Sequence, residues 1–299
     1  MKYSVIIPCY NASDTIAAAL DSLIEQRRED FEVIMIDDAS KDVEATAEVV
    51  ARYADKLDVR LVRNLSNMNG AYSRNVGIQA ARGQYVAFLD ADDTWSPERL
   101  RLADEALAER RGHDKPFIIY GRFELLREHA RGVLLPLRGI RDHEPVADYV
   151  FAAGQHMQTS TFVCPTAVAR HVMFDERLTR HQDSDFMMRA QAAGIGFCFQ
   201  KEKCANYRFR AGDLQRRIHS GRINTAFCND WLSSKRDLFS RRARNGYALT
   251  VTSRIAYIEH GALPSITIIG RSVLGLGMTN MLDLLRTKAM VVLKTRLGF

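Results

Sequence analysis

The chain has 299 residues, of which 46% are hydrophobic and 26% are charged, and its formal net charge is +6. This length supports a full hydrophobic core, and a mean hydropathy of −0.21 excludes a polytopic membrane protein. The five cysteines are scattered without a Cys-x-x-Cys pair, which argues against a disulfide framework and a zinc site. Their scatter and odd number fit a reducing cytoplasm, which is the expected location. Because the first residues run directly into a strand pattern, we expect no signal peptide.

Strand-like and helix-like patterns alternate along the first hundred residues. Strands are predicted at Ser4–Pro8, Phe31–Ile36, Val59–Arg63 and Tyr85–Leu89, and helices at Ala12–Gln26, Asp42–Tyr53, Ala71–Ala81 and Pro97–Arg111. This alternation indicates βαβ units and a mostly parallel sheet, so the predicted fold class is α/β with helices flanking the sheet.

The pattern is less regular after residue 121. Strands are predicted at Phe117–Gly121 and Gly196–Gln200, with a helix at Asp183–Ala193 between them. We expect two units, a nucleotide-binding and catalytic domain over residues 1–205 and a helical, basic C-terminal region over residues 206–299.

The C-terminal region combines basic charge with apolar stretches. Residues 201–245 hold twelve lysines and arginines against four acidic residues, a balance that suits nucleic acid, anionic lipid or a phosphate-bearing substrate. The apolar residues 262–299 also carry basic side chains. Two interpretations remain open, namely a helix lying on an anionic membrane and a helix that covers the core.

Three carboxylates crowd the end of the fourth predicted strand, at Asp90, Asp92 and Asp93. They would repel one another unless a cation neutralised them, and oxygen ligands suit Mg²⁺ or Mn²⁺ shared with substrate phosphates. Open α/β sheets bind ligands at the carboxyl ends of their strands. The sequence therefore predicts a metal–diphosphate site, against the alternative of a solvated turn before a helix that starts near Ser96.

Other polar segments follow the same edge of the predicted sheet. The first strand ends in Pro8-Cys-Tyr-Asn11 and the second in Asp37-Asp-Ala-Ser40, and no glycine-rich phosphate loop follows the first strand. The segment Asn69–Gly77 offers a helix N-terminus and Arg74, either for a donor or as a structural partner of the acidic cluster. In His181–Phe186, either Asp183 faces a substrate while Asp185 caps the helix, or both cap it.

Five motifs in order carry a family resemblance. They are Val5-Ile-Ile-Pro-Cys-Tyr-Asn11, Ile36-Asp-Asp-Ala-Ser40, Arg74-Asn-Val-Gly77, Gly83-Gln-Tyr-Val-Ala-Phe-Leu-Asp-Ala-Asp-Asp93 and His181-Gln-Asp-Ser-Asp-Phe186. Over about residues 1–200 the chain resembles the family 2 glycosyltransferases with the GT-A fold. The resemblance implies an inverting transferase that uses a nucleotide-diphospho-sugar, commonly UDP-linked, and a divalent metal, Mn²⁺ or Mg²⁺.

The resemblance also implies roles for individual residues. Asp183 would be the catalytic base, preceded by Gln182 where the family usually has Glu, and Asp92 would be the metal ligand. The donor-binding residues would be Pro8, Tyr10, Asn11, Asp38, Gly70, Arg74, Asp90 and Ala91, with Asp38 meeting the base and Asp90 nearer the ribose. Beyond residue 200 the resemblance says little, and there the basic charge alone suggests that Arg216, Arg217 and His219 contact the diphosphate or an acceptor phosphate, unless they serve only as surface. Gln182 is a further expected contact of the acceptor or the diphosphate.

The expected function is sugar transfer to a glycan or lipid-linked acceptor in cell-envelope polysaccharide synthesis, at the inner face of the cytoplasmic membrane. One alternative is a catalytically degenerate nucleotide-sugar-binding module, against which the intact Asp90, Asp92 and Asp183 speak. A nucleotidyltransferase would need a basic, glycine-rich loop after the first strand, and residues 11–15 have no basic side chain. The interpretation as a nucleic-acid-binding protein depends on the basic patch alone, and we expect no nucleic-acid partner.

Overall fold

The computed structural model describes residues 1–110, 115–127, 130–209 and 223–292, together with residues 215 and 218. Its first half is a run of βαβ units, as the alternating pattern predicts. The elements are β1 (Tyr3–Cys9), α1 (Ile16–Ile24), β2 (Phe31–Asp37), α2 (Val43–Ala51), β3 (Val59–Arg63), α3 (Gly70–Ala80) and β4 (Tyr85–Phe88). These four strands pair in parallel in the order β3-β2-β1-β4.

The first helix begins at Ile16, later than its predicted start at Ala12. Residues 12–15 form a turn in which the amide groups of Thr15 and Ile16 both donate to the carbonyl of Ala12. The turn leaves residues 10–12 as a loop after the carboxyl end of β1.

The second half of the sheet is mixed. Its elements are β5 (Thr94–Trp95), α4 (Arg99–Glu109), β6 (Phe117–Arg127), β7 (Ala130–Leu135), β8 (Val163–Pro165), α5 (Thr166–Val172), α6 (Gln182–Ala192) and β9 (Gly196–Arg208). The sheet continues from β4 as β8-β6-β9-β5, and β7 pairs with β6. Strands β6 and β9 run parallel to each other, whereas β5, β7 and β8 pair antiparallel with their neighbours.

Strands β6 and β9 extend beyond their predicted ends. They pair with each other from Phe117 to Leu126, with register shifts beside Arg122. The strand β9 continues through residue 205, where the chain was expected to change from one unit to the next. The division into two units stays a prediction.

Helices dominate the described residues after β9. They are α7 (Thr225–Ser234), α8 (Arg241–Tyr247), α9 (Ser253–His260), α10 (Ala262–Leu276) and α11 (Met278–Val292). Short 3-10 or π-helical segments lie at Asp148–Ala152, Thr159–Thr161, Arg236–Leu238 and Ala248–Thr252. Among the helices in this part of the chain, none is long and apolar enough to cross a membrane.

Apolar side chains fill both faces of the sheet. Along β1, Ile6 belongs to the cluster under α3, whereas Val5 and Ile7 belong to the cluster on the opposite face. Burial on both faces explains why the strands read as continuous apolar runs. Trp231 and Tyr247 of the C-terminal helices join the same cluster as Ile6, so these helices share the core of the sheet.

Gly77 permits the close packing of α3 on the sheet. A Cβ atom at this position would lie 2.4 Å from Cγ2 of Ile6 and 2.9 Å from Cδ1 of Ile36. A larger residue would push α3 away from the strands, and Arg74 lies about one turn earlier on the same helix. The glycine of the Arg74–Gly77 motif therefore sets the height of the arginine above the sheet edge.

Candidate active site

A cavity of about 300 Å³ lies at the carboxyl ends of β1, β2 and β4, where the parallel strand order predicts a ligand site. It is open to solvent on one side and is completed by the first turns of α3. Its lining residues are Pro8, Cys9, Tyr10, Asn11, Ala12, Thr15, Asp38, Gly70, Ser73, Arg74, Asp90, Ala91 and Asp92.

Every residue expected to bind the donor or the metal is found in this lining. The structure therefore brings these residues together, while their individual roles stay predictions. Asp183 is not part of the lining, although it lies close enough for Arg74 and Asp90 to influence its pKa. The three expected contacts Arg216, Arg217 and His219 fall outside the described residues.

Arg74 connects the acidic cluster to the helix that carries Asp183. Its guanidinium is buried, forms an ion pair with Asp90 and donates from Nη1 to Oε1 of Gln182 over 2.8 Å. The contact with Asp90 matches the structural role considered for Arg74. Because Arg74 also lines the cavity, its donor-binding role stays a prediction. A Cβ atom at Gly70 would lie 3.1 Å from Nη1, so the glycine leaves room for this arginine.

Gln182 occupies the position at which the family pattern has Glu. Its Nε2 donates to the carbonyl of Leu178 over 2.6 Å, while its Oε1 accepts from Arg74. An amide satisfies both contacts without adding a negative charge beside Asp90 and Asp183. A glutamate at this position would be unable to donate to Leu178 and would add a third negative charge near Asp90 and Asp183.

Asp38 is largely occupied in holding the loop after β3. Its carboxylate accepts from the side chain of Asn64 over 2.8 Å and from the amides of Met68 and Asn69 over 2.9 and 2.8 Å. Asn69 in turn caps α3, accepting from the amide of Ala71. Asp38 is buried but still lines the cavity. Its contact with a nucleotide base stays a prediction, and a base would have to bind beside a carboxylate that already holds the loop.

The three carboxylates after β4 have different surroundings. Asp93 is buried and accepts from Oγ of Ser160 and from Nε2 of Gln158, each over 2.7 Å. Burial, with the charges of Asp90 and Asp92 beside it, raises the pKa of Asp93 well above its ordinary value. Asp93 is therefore a structural group of the site, whereas Asp90 and Asp92 face the cavity.

Ser160 is a site residue that the sequence did not indicate. Its hydroxyl bonds Asp93 and also accepts from the amide of Asp90 over 3.0 Å, fixing the turn that carries the acidic cluster. It lies in the stretch 122–165, which has no regular pattern and no motif. Only the tertiary structure brings it to the end of β4.

Asp183 lies in the first turn of α6, where its Oδ1 accepts from the amide of Ser184 over 2.7 Å. Burial raises the pKa of Asp183; the negative charge of Asp90 raises it further, and Arg74 opposes the rise. A raised pKa makes a carboxylate a better proton acceptor, so this environment suits a general base.

The expectation that Asp185 caps α6 is wrong. The described contacts of the helix start include no side-chain cap, and Asp185 is fully buried. Its Oδ2 pairs with Nε of Arg189 over 2.7 Å, and its Oδ1 pairs with Nζ of Lys235 over 2.8 Å. Lys235 also pairs with Asp175 over 3.0 Å, so the buried carboxylate joins α6 to the C-terminal helices. Its charge is met by cations instead of by helix amides.

His181 anchors the start of α6 to the C-terminal helices. Its backbone is left-handed, with φ at 64°, a conformation that costs a side-chain-bearing residue free energy. The ring stacks on Trp231 with centroids 4.5 Å apart and bonds the hydroxyl of Tyr247 over 3.0 Å. Burial lowers the pKa of His181 well below its ordinary value, so the ring is neutral and acts as an anchor two residues before Asp183.

Asn11, Ala39 and Asn69 share this left-handed backbone, with φ at 49°, 57° and 80°. All three lie in loops around the cavity, at or beside residues of its lining. Strained backbone persists where surrounding contacts impose it, and such positions cluster at ligand sites. The loops around the cavity are therefore held in defined shapes by their contacts.

The chain is similar to known glycosyltransferases in sequence and in fold. The model of the family "Glycosyl transferase family 2" matches residues 4–129. The amylovoran biosynthesis glycosyltransferase AmsB of Erwinia amylovora is 40% identical over 210 residues, which cover 69% of each chain. The poly(ribitol-phosphate) β-N-acetylglucosaminyltransferase TarS of Staphylococcus aureus is 30% identical over 195 residues, so the alignment spans only 32% of that longer relative.

Two solved structures share the fold. Residues 1–349 of S. aureus TarS in complex with UDP-GlcNAc superpose with a TM-score of 0.66 at 20% identity, covering 97% of this chain and 88% of that one. The mannosyltransferase PcManGT of Pyrobaculum calidifontis, in complex with GDP-Man and Mn²⁺, gives a TM-score of 0.59 at 17% identity, covering 97% and 85%. At these identities the likeness establishes the architecture.

Proposed function

Since the chain belongs to glycosyl transferase family 2, we propose that it moves a sugar from a UDP-linked donor to a hydroxyl group of a cell-envelope glycan or lipid-linked acceptor. The observation that carries this proposal is the cavity at the ends of β1, β2 and β4, which gathers all the expected donor-binding residues. Support for UDP and for a hexosyl or N-acetylhexosaminyl group comes from TarS, whose structure is known in complex with UDP-GlcNAc.

The residues present fit a divalent cation, Mn²⁺ or Mg²⁺. Asp90 and Asp92 bring carboxylate oxygens to the cavity, and burial together with their charges raises the pKa of the neighbouring Asp93. No group of three acidic, histidine or cysteine side chains suited to a metal occurs among the described residues. Asp92 and the donor diphosphate would therefore share the ion, as Mg²⁺ sites commonly do. When bound, the ion would stabilise negative charge on the departing diphosphate.

Asp183 would perform the proton transfer. It would accept the proton of an acceptor hydroxyl, whose oxygen attacks the anomeric carbon while the bond from that carbon to the diphosphate breaks. Attack from the face opposite the diphosphate inverts the anomer in a single displacement, so an α-linked donor gives a β-glycoside. Arg74 would fix the position of Asp90 relative to Gln182, through its ion pair with the former and its hydrogen bond to the latter.

The names of two relatives and the charge of the chain support the proposed kind of acceptor. AmsB and TarS are named for amylovoran synthesis and for modification of poly(ribitol-phosphate). The basic residues between 201 and 245 suit an acceptor that carries phosphate. Within them, Arg216, Arg217 and His219 remain proposed contacts of the diphosphate or of an acceptor phosphate.

Calorimetric titration of UDP tests the donor site. We expect saturable binding of UDP in the presence of Mn²⁺ or Mg²⁺ and a large loss of affinity when EDTA removes the metal. Titration with uridine, which lacks the diphosphate, is the matched control and should bind weakly in both conditions. Folded protein that binds no nucleoside diphosphate under any of these conditions would refute the proposed donor.

A degenerate module that binds nucleotide-sugars without turnover is the remaining alternative. Gln182 favours it, because the family pattern has Glu at this position. The raised pKa of Asp183 and its position beside Arg74 argue for an active base instead. Because both functions predict UDP binding, only a measurement of turnover distinguishes the transferase from the binding module.

A further inference from the structure

Helix α10 turns its apolar side away from the protein. Its buried residues are Ser265, Ser272 and Leu276, and Oγ of Ser272 donates to the carbonyl of Ile268. On the outer side, Leu263 and Leu274 are 81% and 90% exposed. A helix on the surface of a globular protein normally has the opposite arrangement, with aliphatic residues inward and polar residues outward.

Helix α11 repeats this arrangement. Its buried residues include Leu284 and Thr287, and Thr287 accepts from Nε2 of Gln155 over 2.9 Å. The exposed side carries large apolar residues at helical spacing, namely Met278, Leu282, Leu285 and Val292. Because Leu276 and Leu284 pack in one cluster with Ala152, the two helices are anchored at the same place. We call the exposed apolar sides of α10 and α11 the outer apolar faces.

The charges beside the outer apolar faces are basic. In α10 and α11, the described charged side chains that are exposed are Arg271, Arg286 and Lys288. The acidic residue Asp283 is largely buried, within 3.4 Å of Arg138 and Arg141. Two copies of this surface facing each other would bring like charges together, whereas anionic lipid headgroups would complement them.

The dimensions also suit the surface of a bilayer. Each helix has 15 residues and is therefore about 22 Å long, shorter than the hydrocarbon core of about 30 Å. Apolar residues on one side and basic residues at the edges are typical of helices that lie in the interfacial plane, with long basic side chains reaching the headgroups.

We propose that the outer apolar faces of α10 and α11 insert into the interfacial layer of an anionic lipid membrane. Helix α10 packs on α8, whose Tyr247 bonds His181, two residues before Asp183. The element that rests on the lipid therefore also supports the segment that carries the proposed base. A hydroxyl on a lipid-linked acceptor would be presented close to the same membrane.

Co-sedimentation of the full chain with vesicles tests this proposal. We expect binding to vesicles of phosphatidylglycerol and much weaker binding to vesicles of phosphatidylcholine. The double variant Leu274→Gln with Leu285→Gln should lower the partition coefficient at least about tenfold, because two exposed leucines no longer enter the lipid and no charge is added. Leu65→Gln is the matched control, since Leu65 is a fully exposed leucine in the loop after β3.

Several outcomes would overturn the proposal. Equal binding to both vesicle types would show that anionic lipid is not required. Unchanged binding by the double variant would show that the lipid contact lies outside the outer apolar faces. Absence of vesicle binding, together with a dimer that the double variant converts to a monomer, would assign the outer apolar faces to a second copy. Absence of both vesicle binding and self-association would leave them without a lipid role. Vesicle binding does not require sugar transfer, so this result and the UDP titration fail independently.

Discussion

The variant Asp183→Asn is expected to lower turnover about 10³-fold while leaving the affinity for UDP nearly unchanged. Asparagine has the same shape, and its Oδ1 can still accept from the amide of Ser184. It cannot take a proton from the acceptor, so the loss falls on kcat. Steady-state kinetics of the variant with the donor and acceptor, and a parallel UDP titration, measure the two effects separately.

The pH dependence of turnover is a second, independent test of Asp183 as the base. Burial raises the pKa of Asp183 above its ordinary value of 3.8, and the base acts in its deprotonated form. Activity should therefore fall as the pH drops through this raised pKa, and the residual activity of Asp183→Asn should lack that limb. The exposed Asp230 of α7 supplies the control Asp230→Asn, which should retain the parent rate and pH profile. Near-parent turnover of Asp183→Asn would exclude it as the base.

The variant Asp92→Ala is expected to weaken metal-dependent UDP binding about 100-fold, as the loss of a metal ligand should. Asp92 lines the cavity beside Asp90, whereas Asp93 is bonded by Ser160 and Gln158. The affinity of the variant with Mn²⁺ should approach that of the parent chain in EDTA, because both lack the shared ion. Calorimetry under the two conditions measures this convergence.

A matched control for Asp92→Ala is Asp55→Ala, which removes an exposed carboxylate from the turn after α2. Asp55→Ala should bind UDP like the parent. If Asp92→Ala keeps the parent's affinity and the parent's response to EDTA, Asp92 does not contribute to a metal site.

The position of the cavity could be predicted from the sequence because it depends on local patterns and one topological rule. Alternation of strand and helix places β1, β2 and β4 in parallel, and parallel strands bring their carboxyl ends to one edge. Residues such as Asn11, Asp38 and Asp92 follow those strands directly. Their meeting in one cavity therefore required no knowledge of side-chain contacts.

The rest of the site depends on contacts between residues that are far apart in the chain. Ser160 bonds Asp93, and Lys235 reaches Asp185, yet neither pair has a sequence signal. An aspartate in the first turn of a helix is usually interpreted as a cap, and only burial beside two cations shows that Asp185 has another task. The antiparallel strand β8 was missed for a similar reason, since three residues carry too little pattern to identify a strand.

The outer apolar faces show a different limit of the sequence. The C-terminal stretch left two interpretations open, a membrane-bound helix and a helix covering the core. Buried serines and exposed leucines in α10 support the proposed membrane-bound helix, and this orientation is visible only in the structure. Helical spacing gives the amphipathic pattern, but it does not say which side faces the protein.

The most direct test of the central claim is the release of free nucleotide from a panel of nucleotide-sugars by the purified chain, with Mn²⁺ or Mg²⁺. Slow hydrolysis of one UDP-sugar, abolished by EDTA and by Asp183→Asn, is the expected result and would also name the donor. Folded protein that binds UDP but releases nucleotide from no donor, with acceptor glycans present or absent, would contradict the account and favour a degenerate binding module.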